Sequence, residues 1–148
     1  MKNHSNDTSN HLFLAIEVYL NGVYKVCNHL EENNIKNAKI FPDDVNIILN
    51  NIENNILDNI YILFPDPWTK NKYKKKRLVN QARIEKLISK LSTNGTIVFS
   101  SDIEDYFNDV KSILLTNKNL KIINKNNYID YKKIDPTYLK TKYRKKDI

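Results

Sequence analysis

The feature that most constrains this chain is a junction within residues 59–79, where an apolar run meets a cationic stretch. The run NIYILF is followed by Pro-Asp-Pro-Trp at residues 65–68, which holds the single tryptophan. Six of the eight residues 70–77 are Lys or Arg, and a buried element cannot hold that density of charge without partners. We therefore predict a buried strand at residues 59–64 and an exposed, mobile loop at residues 70–77.

Two prolines bracket one carboxylate at the end of this strand. Proline fixes φ and has no N–H, so Pro65 and Pro67 should stop the strand and hold Asp66 and Trp68 in a stiff turn. Open α/β sheets bind their ligands at the carboxyl ends of strands. We therefore expect Asp66 at the rim of a sheet, where a ligand would lie.

Apolar runs alternate with helical spacing along the whole chain. Strands are predicted at residues 12–18, 38–41, 59–64, 96–100 and 120–123, with helices at residues 22–33, 45–52, 78–91 and 104–116. Asn94-Gly95 is expected to be the turn after the third helix. This order predicts an α/β fold with a doubly wound, mostly parallel sheet.

The length of 148 residues suits one domain rather than two. We predict a single domain over residues 1–148, in which residues 1–10 are disordered and residues 128–148 form a basic C-terminal segment. That segment has two interpretations, an RNA-facing surface or a plain solvated tail.

Carboxylates recur at or just after the carboxyl ends of the predicted strands. They are Glu17, Asp44, Asp66 and Asp102. Together they predict an acidic rim along one edge of the sheet, where a small ligand would bind. Two of them also have simpler interpretations, Glu17 as a solvated strand end and Asp44 as the N-cap of a helix.

The formal net charge of +7 and the pI near 9.3 indicate an anionic partner. RNA fits better than a membrane, because the basic segments are not amphipathic helices and no apolar run approaches the roughly 20 residues of a membrane span. Cys27 is the single cysteine, which excludes a disulfide or a thiolate zinc cluster within one chain, and we expect no metal. The polar first ten residues do not resemble a signal peptide, so a cytoplasmic address is expected. The expected oligomeric state is a monomer or a homodimer.

A motif of unusual composition identifies a family. It consists of Phe64, Pro65, Asp66, Pro67 and Trp68, followed by Lys70 and then by Lys75, Lys76 and Arg77. This pattern resembles the FPDPWxKxxHxKRR signature of bacterial tRNA (guanine-N7-)-methyltransferases, and the resemblance extends over residues 13–143. Tyr73 stands where that family usually has histidine, and Lys76 where it often has arginine.

The resemblance implies a Rossmann-like enzyme that transfers a methyl group from S-adenosyl-L-methionine (SAM) to guanine N7 in the variable loop of tRNA. It implies that Glu17 binds the SAM ribose, that Asp44 lies beside the adenine, and that Asp66 is catalytic or adjacent to SAM. It also implies substrate-binding positions, which are Lys70, Asp102 and Thr141. From their charge we expect RNA contacts at Lys72, Lys74, Lys75, Lys76 and Arg77.

Aromatic side chains within the motif allow two interpretations. Trp68 or Tyr73 could stack on an exposed base, as aromatic side chains do in proteins that bind unpaired RNA. Trp68 could instead plug the loop against the core.

The start of the sequence departs from the family. SAM enzymes of this architecture carry a glycine-rich loop after their first strand, and the two glycines here, Gly22 and Gly95, do not form one. We therefore expect either a fragment or a reduced protein that has lost much of its SAM pocket. The alternative functions are a catalytically inactive, basic RNA-binding remnant and, against the motif, another nucleotide-binding α/β protein.

The missing loop leads to a first prediction. Residues 1–148 should bind SAM weakly or undetectably, because the glycine-rich loop normally supplies the backbone contacts to the methionine end of the cofactor. Calorimetric titration of the chain with SAM measures this affinity. A micromolar dissociation constant would show that the remaining pocket is sufficient.

Overall fold

The computed structural model describes residues 11–121 and residue 123, and within them strands and helices alternate in the predicted order. The elements are β1 (Phe13–Ile16), α1 (Leu20–Glu32), β2 (Ala38–Phe41), α2 (Val45–Asn51), β3 (Leu57–Leu63), a 3₁₀ helix (Asn71–Lys76), α3 (Gln81–Lys90), β4 (Leu91–Ser100) and α4 (Glu104–Thr116). The predicted α/β class is confirmed. The predictions for residues 1–10, residues 128–148 and Thr141 lie outside the described residues.

The strands form two parallel pairs in the described part of the chain. In one pair β1 lies beside β2, with Phe13 opposite Ala38. In the other, β3 lies beside β4, with Leu63 opposite Ser100. The predicted parallel arrangement is confirmed within each pair, whereas the predicted strand at residues 120–123 does not form at Leu120 or Lys121.

The chain divides into two compact units at the boundary between Asn51 and Ile52. Among the described residues, the first unit holds β1, α1, β2 and α2, and the second holds the elements from β3 to α4. The prediction of a single domain stays a prediction.

Helix α1 carries its apolar side chains without burying any of them completely. The buried hydrophobic residues described in the first unit are Ala15 of β1 and Leu49 of α2. The two longest described helices, α1 and α4, have 13 residues each. Within residues 11–121, no helix is both long enough and apolar enough to cross a membrane.

The core of the second unit is built by apolar stripes on two helices. Ile84 and Leu87 of α3 are three residues apart and buried, and Tyr106 and Val110 of α4 are four apart and buried. Both spacings place the two side chains on one helix face. Helix α3 is capped at its start by the Asn80 side chain, which accepts the Arg83 N–H at 3.0 Å.

Asn94-Gly95, predicted as a turn before the strand, lies inside strand β4. Leu57 pairs with Leu91 but Asn59 pairs with Thr96, so β4 holds extra residues at this point. Asn94 takes a positive φ of 68°. A Cβ on Gly95 would lie 3.0 Å from the carbonyl oxygens of both Leu57 and Ser92. The close backbone approach therefore favours glycine here, and the helix ends at Lys90, one residue before its predicted end.

A second prediction concerns the buried hydroxyl of Tyr106, which accepts the Val79 N–H at 2.9 Å. Tyr106→Phe keeps the ring and leaves this buried N–H unpaired, so the free energy of unfolding should fall by about 1–3 kcal/mol. Urea denaturation measures the loss. Tyr24→Phe, at a residue 66% exposed, is the matched control and should change stability by less than about 0.5 kcal/mol. Equal effects of the two substitutions would contradict the role of this hydrogen bond.

Candidate functional site

Residues 64–68, which we call the motif turn, have an unusual backbone at both ends. Phe64 has a φ of 51° and Trp68 a φ of 41°, in the left-handed region that bulky side chains rarely adopt. Such residues cost on the order of 1–3 kcal/mol each and persist where the surroundings hold them. At the start of the turn, the Phe64 N–H donates to the Ser100 carbonyl at 2.9 Å, so the turn is tied to β4.

Asp66 stands at the centre of the motif turn with its carboxylate exposed. It makes no hydrogen bond or ion pair with the residues that the structure describes. Because Leu63 pairs with Ser100 in parallel register, Asp66 and Asp102 follow neighbouring strands at the same edge of the β3–β4 pair. The strand register therefore places two of the four predicted carboxylates at the same edge of one strand pair, and both residues are exposed.

Glu17 and Asp44 follow β1 and β2, the parallel pair of the first unit. The Glu17 carboxylate accepts the Tyr19 N–H at 2.8 Å, and a Cβ on Gly22 would lie 3.1 Å from its Cγ. The Asp44 carboxylate accepts the Asn46 N–H at 2.7 Å, which confirms the predicted cap of α2. The prediction of one acidic rim shared by all four acids stays a prediction.

Residues 70–77, which we call the basic segment, are not the loop that was predicted. Asn71–Lys76 form a 3₁₀ helix, in which the Tyr73 N–H donates to the Lys70 carbonyl at 2.8 Å. The predicted exposure holds for Lys70, Lys72, Lys75 and Lys76. It is wrong for Arg77, which is only 3% exposed.

Lysines of the basic segment lie over two aromatic rings. Trp68 and Tyr73 meet edge to face, with ring centroids 6.0 Å apart. The Lys76 Nζ lies 5.1 Å from both centroids, and the Lys72 Nζ lies 4.9 Å from that of Tyr73. Cation–π contacts at exposed positions contribute about 0.5–1 kcal/mol each. Trp68 is 37% exposed, so its ring is available at the surface while it packs on the 3₁₀ helix.

The Arg77 guanidinium is the most densely contacted cation of the segment. Its Nε donates to the Pro67 carbonyl at 2.8 Å, and its terminal nitrogens donate to Asp105 at 2.5 Å and to Asp109. Its Cζ lies 4.6 Å from the ring centroid of Tyr106. Only 4% of the Arg77 side chain is accessible, so Arg77 is not an exposed cation, and its predicted RNA contact stays a prediction.

Sequence reasoning missed the acids that pair with this segment. Asp105 and Asp109 are four residues apart on α4 and therefore share one helix face. Asp105 also accepts the Lys74 Nζ at 2.8 Å. The basic segment itself contains no acid. Two acids four residues apart on a predicted helix are therefore the sequence signal that could have predicted an ion pair with this segment.

Two ionisable groups of α4 are shifted by these contacts. The hydrogen bond from Lys74, with that from Arg77, holds the pKa of Asp105 below its ordinary value. Burial raises the pKa of Tyr106, so its phenol stays protonated while its oxygen accepts the Val79 N–H.

The lowered pKa of Asp105 leads to a third prediction. Its ionised form stabilises the fold above the ordinary value of 3.8, and this contribution is lost as the pH falls through the lower folded pKa. The difference in unfolding free energy between the parent and Asp105→Asn should therefore be constant from about pH 5 to 7 and shrink below about pH 4. Urea denaturation across this range measures it. A pH-independent difference for Asp105→Asn would contradict the assignment.

Comparisons with known proteins agree with the motif. A family model described as "Putative methyltransferase" matches residues 2–148. The bifunctional methyltransferase of Rickettsia felis is 51% identical over 137 residues, which are 93% of this chain and 25% of that protein. The tRNA (guanine-N(7)-)-methyltransferase of Buchnera aphidicola subsp. Baizongia pistaciae is 37% identical over 138 residues, 92% of this chain and 56% of that protein.

A shorter match points to the same family. The tRNA (guanine-N(7)-)-methyltransferase of Neisseria meningitidis is 38% identical over 103 residues, 69% of this chain and 43% of that protein. The chain thus spans from a quarter to just over half the length of these relatives. Because the family model matches nearly every residue and relatives named as tRNA (guanine-N(7)-)-methyltransferases match much of the chain, the chain belongs to the methyltransferase family that includes the bacterial tRNA (guanine-N7-)-methyltransferases.

Proposed function

We propose that this chain is the substrate-facing part of a SAM-dependent tRNA methyltransferase that modifies guanine N7 in the variable loop. The observation that carries the proposal is the motif turn, which presents an exposed carboxylate at a sheet edge beside an exposed aromatic ring and a row of lysines. The names of the Buchnera and Neisseria relatives support the same substrate.

The exposed Asp66 suits the chemistry of this reaction. Guanine N7 already has a free lone pair, so its methylation needs alignment with the donor rather than a strong general base. The Asp66 carboxylate has no partner among the described residues and can accept hydrogen bonds from the guanine N1–H and N2–H edge. Its role in the proposal is to orient the base and to favour the positive charge of the methyl donor.

The carboxylates of the first unit fit the nucleoside half of SAM. Glu17 and Asp44 follow neighbouring parallel strands and are hydrogen-bond acceptors, which suits ribose hydroxyls and the adenine amino group. SAM, when bound, supplies the electrophilic methyl group. The sequence holds no glycine-rich loop for the methionine end, and Gly22 instead leaves room for the Glu17 side chain.

The basic segment is proposed to hold the phosphates of tRNA. Lys70, Lys72, Lys75 and Lys76 are exposed and have no carboxylate partner among the described residues. Lys74 pairs with Asp105 at the surface, and because such pairs contribute little, Lys74 stays available to a phosphate.

Two further substrate contacts complete the proposal. Asp102 is a second substrate contact at the edge that also carries Asp66. Thr141 is proposed as a substrate contact on the family resemblance alone.

A catalytically inactive tRNA-binding protein is the second candidate. It is favoured by one observation, the exposed lysines of the basic segment, which can bind tRNA phosphates without SAM. Both candidates bind tRNA through the same lysines, so methyl transfer separates them.

A fourth prediction tests the role of Asp66. The N-terminal strand, glycine-rich loop and helix of a related tRNA methyltransferase are joined ahead of residue 1, and transfer of labelled methyl groups to tRNA is measured. Asp66→Asn keeps the shape and removes the charge, so turnover should fall by about 100-fold or more while tRNA affinity stays nearly unchanged.

The matched control is Asp58→Asn, at an exposed acid whose recorded partner is the Ser92 hydroxyl and which has no place in the proposed site. Turnover of Asp66→Asn within about twofold of the parent would remove Asp66 from the mechanism. A parent protein that binds tRNA without transferring methyl groups would favour the inactive candidate.

A further inference from the structure

We propose that Arg77 is a positioning residue that clamps the motif turn to α4 and so holds Asp66 in its working position. The clamp runs from the Pro67 carbonyl through the guanidinium to Asp105 and Asp109. Its catalytic consequence rests on the function proposed above, whereas its effect on the turn can be measured without methyl transfer.

The motif turn needs an external hold. Its end residues, Phe64 and Trp68, adopt left-handed backbone conformations that are unfavourable for bulky side chains. Its prolines have no N–H with which to anchor it. The Phe64 N–H fixes the entry to β4, and the Pro67 carbonyl, held by Arg77, fixes the exit. Asp66 lies between these two anchors.

Arginine is the side chain that this arrangement requires. The planar guanidinium directs separate N–H groups to one carbonyl and two carboxylates, and its face rests on the Tyr106 ring. A lysine ammonium is a single point and cannot meet the same three acceptors in this geometry. Lysine fills the other charged positions of the basic segment, where the side chains are exposed or make a single surface ion pair.

The acids of α4 also point to positioning rather than to RNA contact. Asp105 and Asp109 lower the positive potential beside a segment whose charged residues are all cationic, which disfavours binding of phosphates. Their presence is explained by the buried guanidinium, because a buried charge is stable when it is paired and hydrogen-bonded. The Asp105 and Asp109 pair therefore stabilises the motif turn through Arg77, although it weakens the attraction of this surface for phosphates.

Trp68 provides a direct reporter, since it is the single tryptophan and follows the clamped Pro67. Acrylamide quenching of its fluorescence is measured in the 148-residue chain for Arg77→Lys and for the double variant Asp105→Asn/Asp109→Asn. Since Trp68 is 37% exposed, full release could raise quenching by at most roughly threefold, and we expect a rise of about twofold in both variants. The control Lys75→Gln, at an exposed lysine outside the clamp, should leave quenching unchanged.

The double variant keeps the clamp testable if Arg77→Lys fails to fold, because both aspartates are about half exposed. In the extended protein used for Asp66, the double variant should lower kcat by about 10- to 100-fold through misplacement of the turn, with tRNA affinity equal or tighter. If Arg77 instead contacted phosphates, removing its two partners would tighten tRNA binding without lowering kcat.

The outcomes separate the clamp from the proposed function. Unchanged Trp68 quenching in the double variant would overturn the clamp, whether or not methyl transfer is observed. Increased quenching together with a tRNA-binding protein that never transfers methyl groups would support the clamp and reject the proposed enzyme.

Discussion

The buried guanidinium of Arg77 is the constraint on which the arrangement of the second unit depends. An isolated buried charge is strongly unfavourable, so Arg77 requires acceptors on every side that it presents. These acceptors come from two places distant in sequence, the Pro67 carbonyl and a pair of acids on α4. Tyr106 lies under the guanidinium and is itself held by the Val79 N–H. The motif turn, the residues after the basic segment and helix α4 are therefore mutually dependent.

The local part of this arrangement could be predicted from sequence. The prolines end β3 at Leu63, one residue before the predicted end, because their geometry is a property of the residues themselves. The short apolar run at Ala38–Phe41 forms a strand with the predicted bounds, and Asp44 caps the helix after it. In each of these cases the interaction that determines the structure involves residues only a few positions from the sequence pattern that predicts it.

The non-local part could not be predicted in the same way. A run of cations indicates a surface, and what buries its last member is an acidic pair about thirty residues further along the chain. Asn94-Gly95 does mark an irregularity, but its position inside β4 depends on the register of β4 against β3. A local turn pattern carries no information about that register. The same holds for the Asp66 and Asp102 edge, which needs the pairing of Leu63 with Ser100.

The lysine over the two aromatic rings has a consequence for how a nucleic acid would be received. The Lys76 ammonium covers the face of Trp68, at 5.1 Å from the ring centroid. A base that stacks on this face must displace the ammonium, and the displaced cation is then free to pair with a neighbouring phosphate. Base stacking and phosphate neutralisation would thus be coupled. The contact between Lys76 and the Trp68 ring would be replaced by a base on that ring and a phosphate at Lys76.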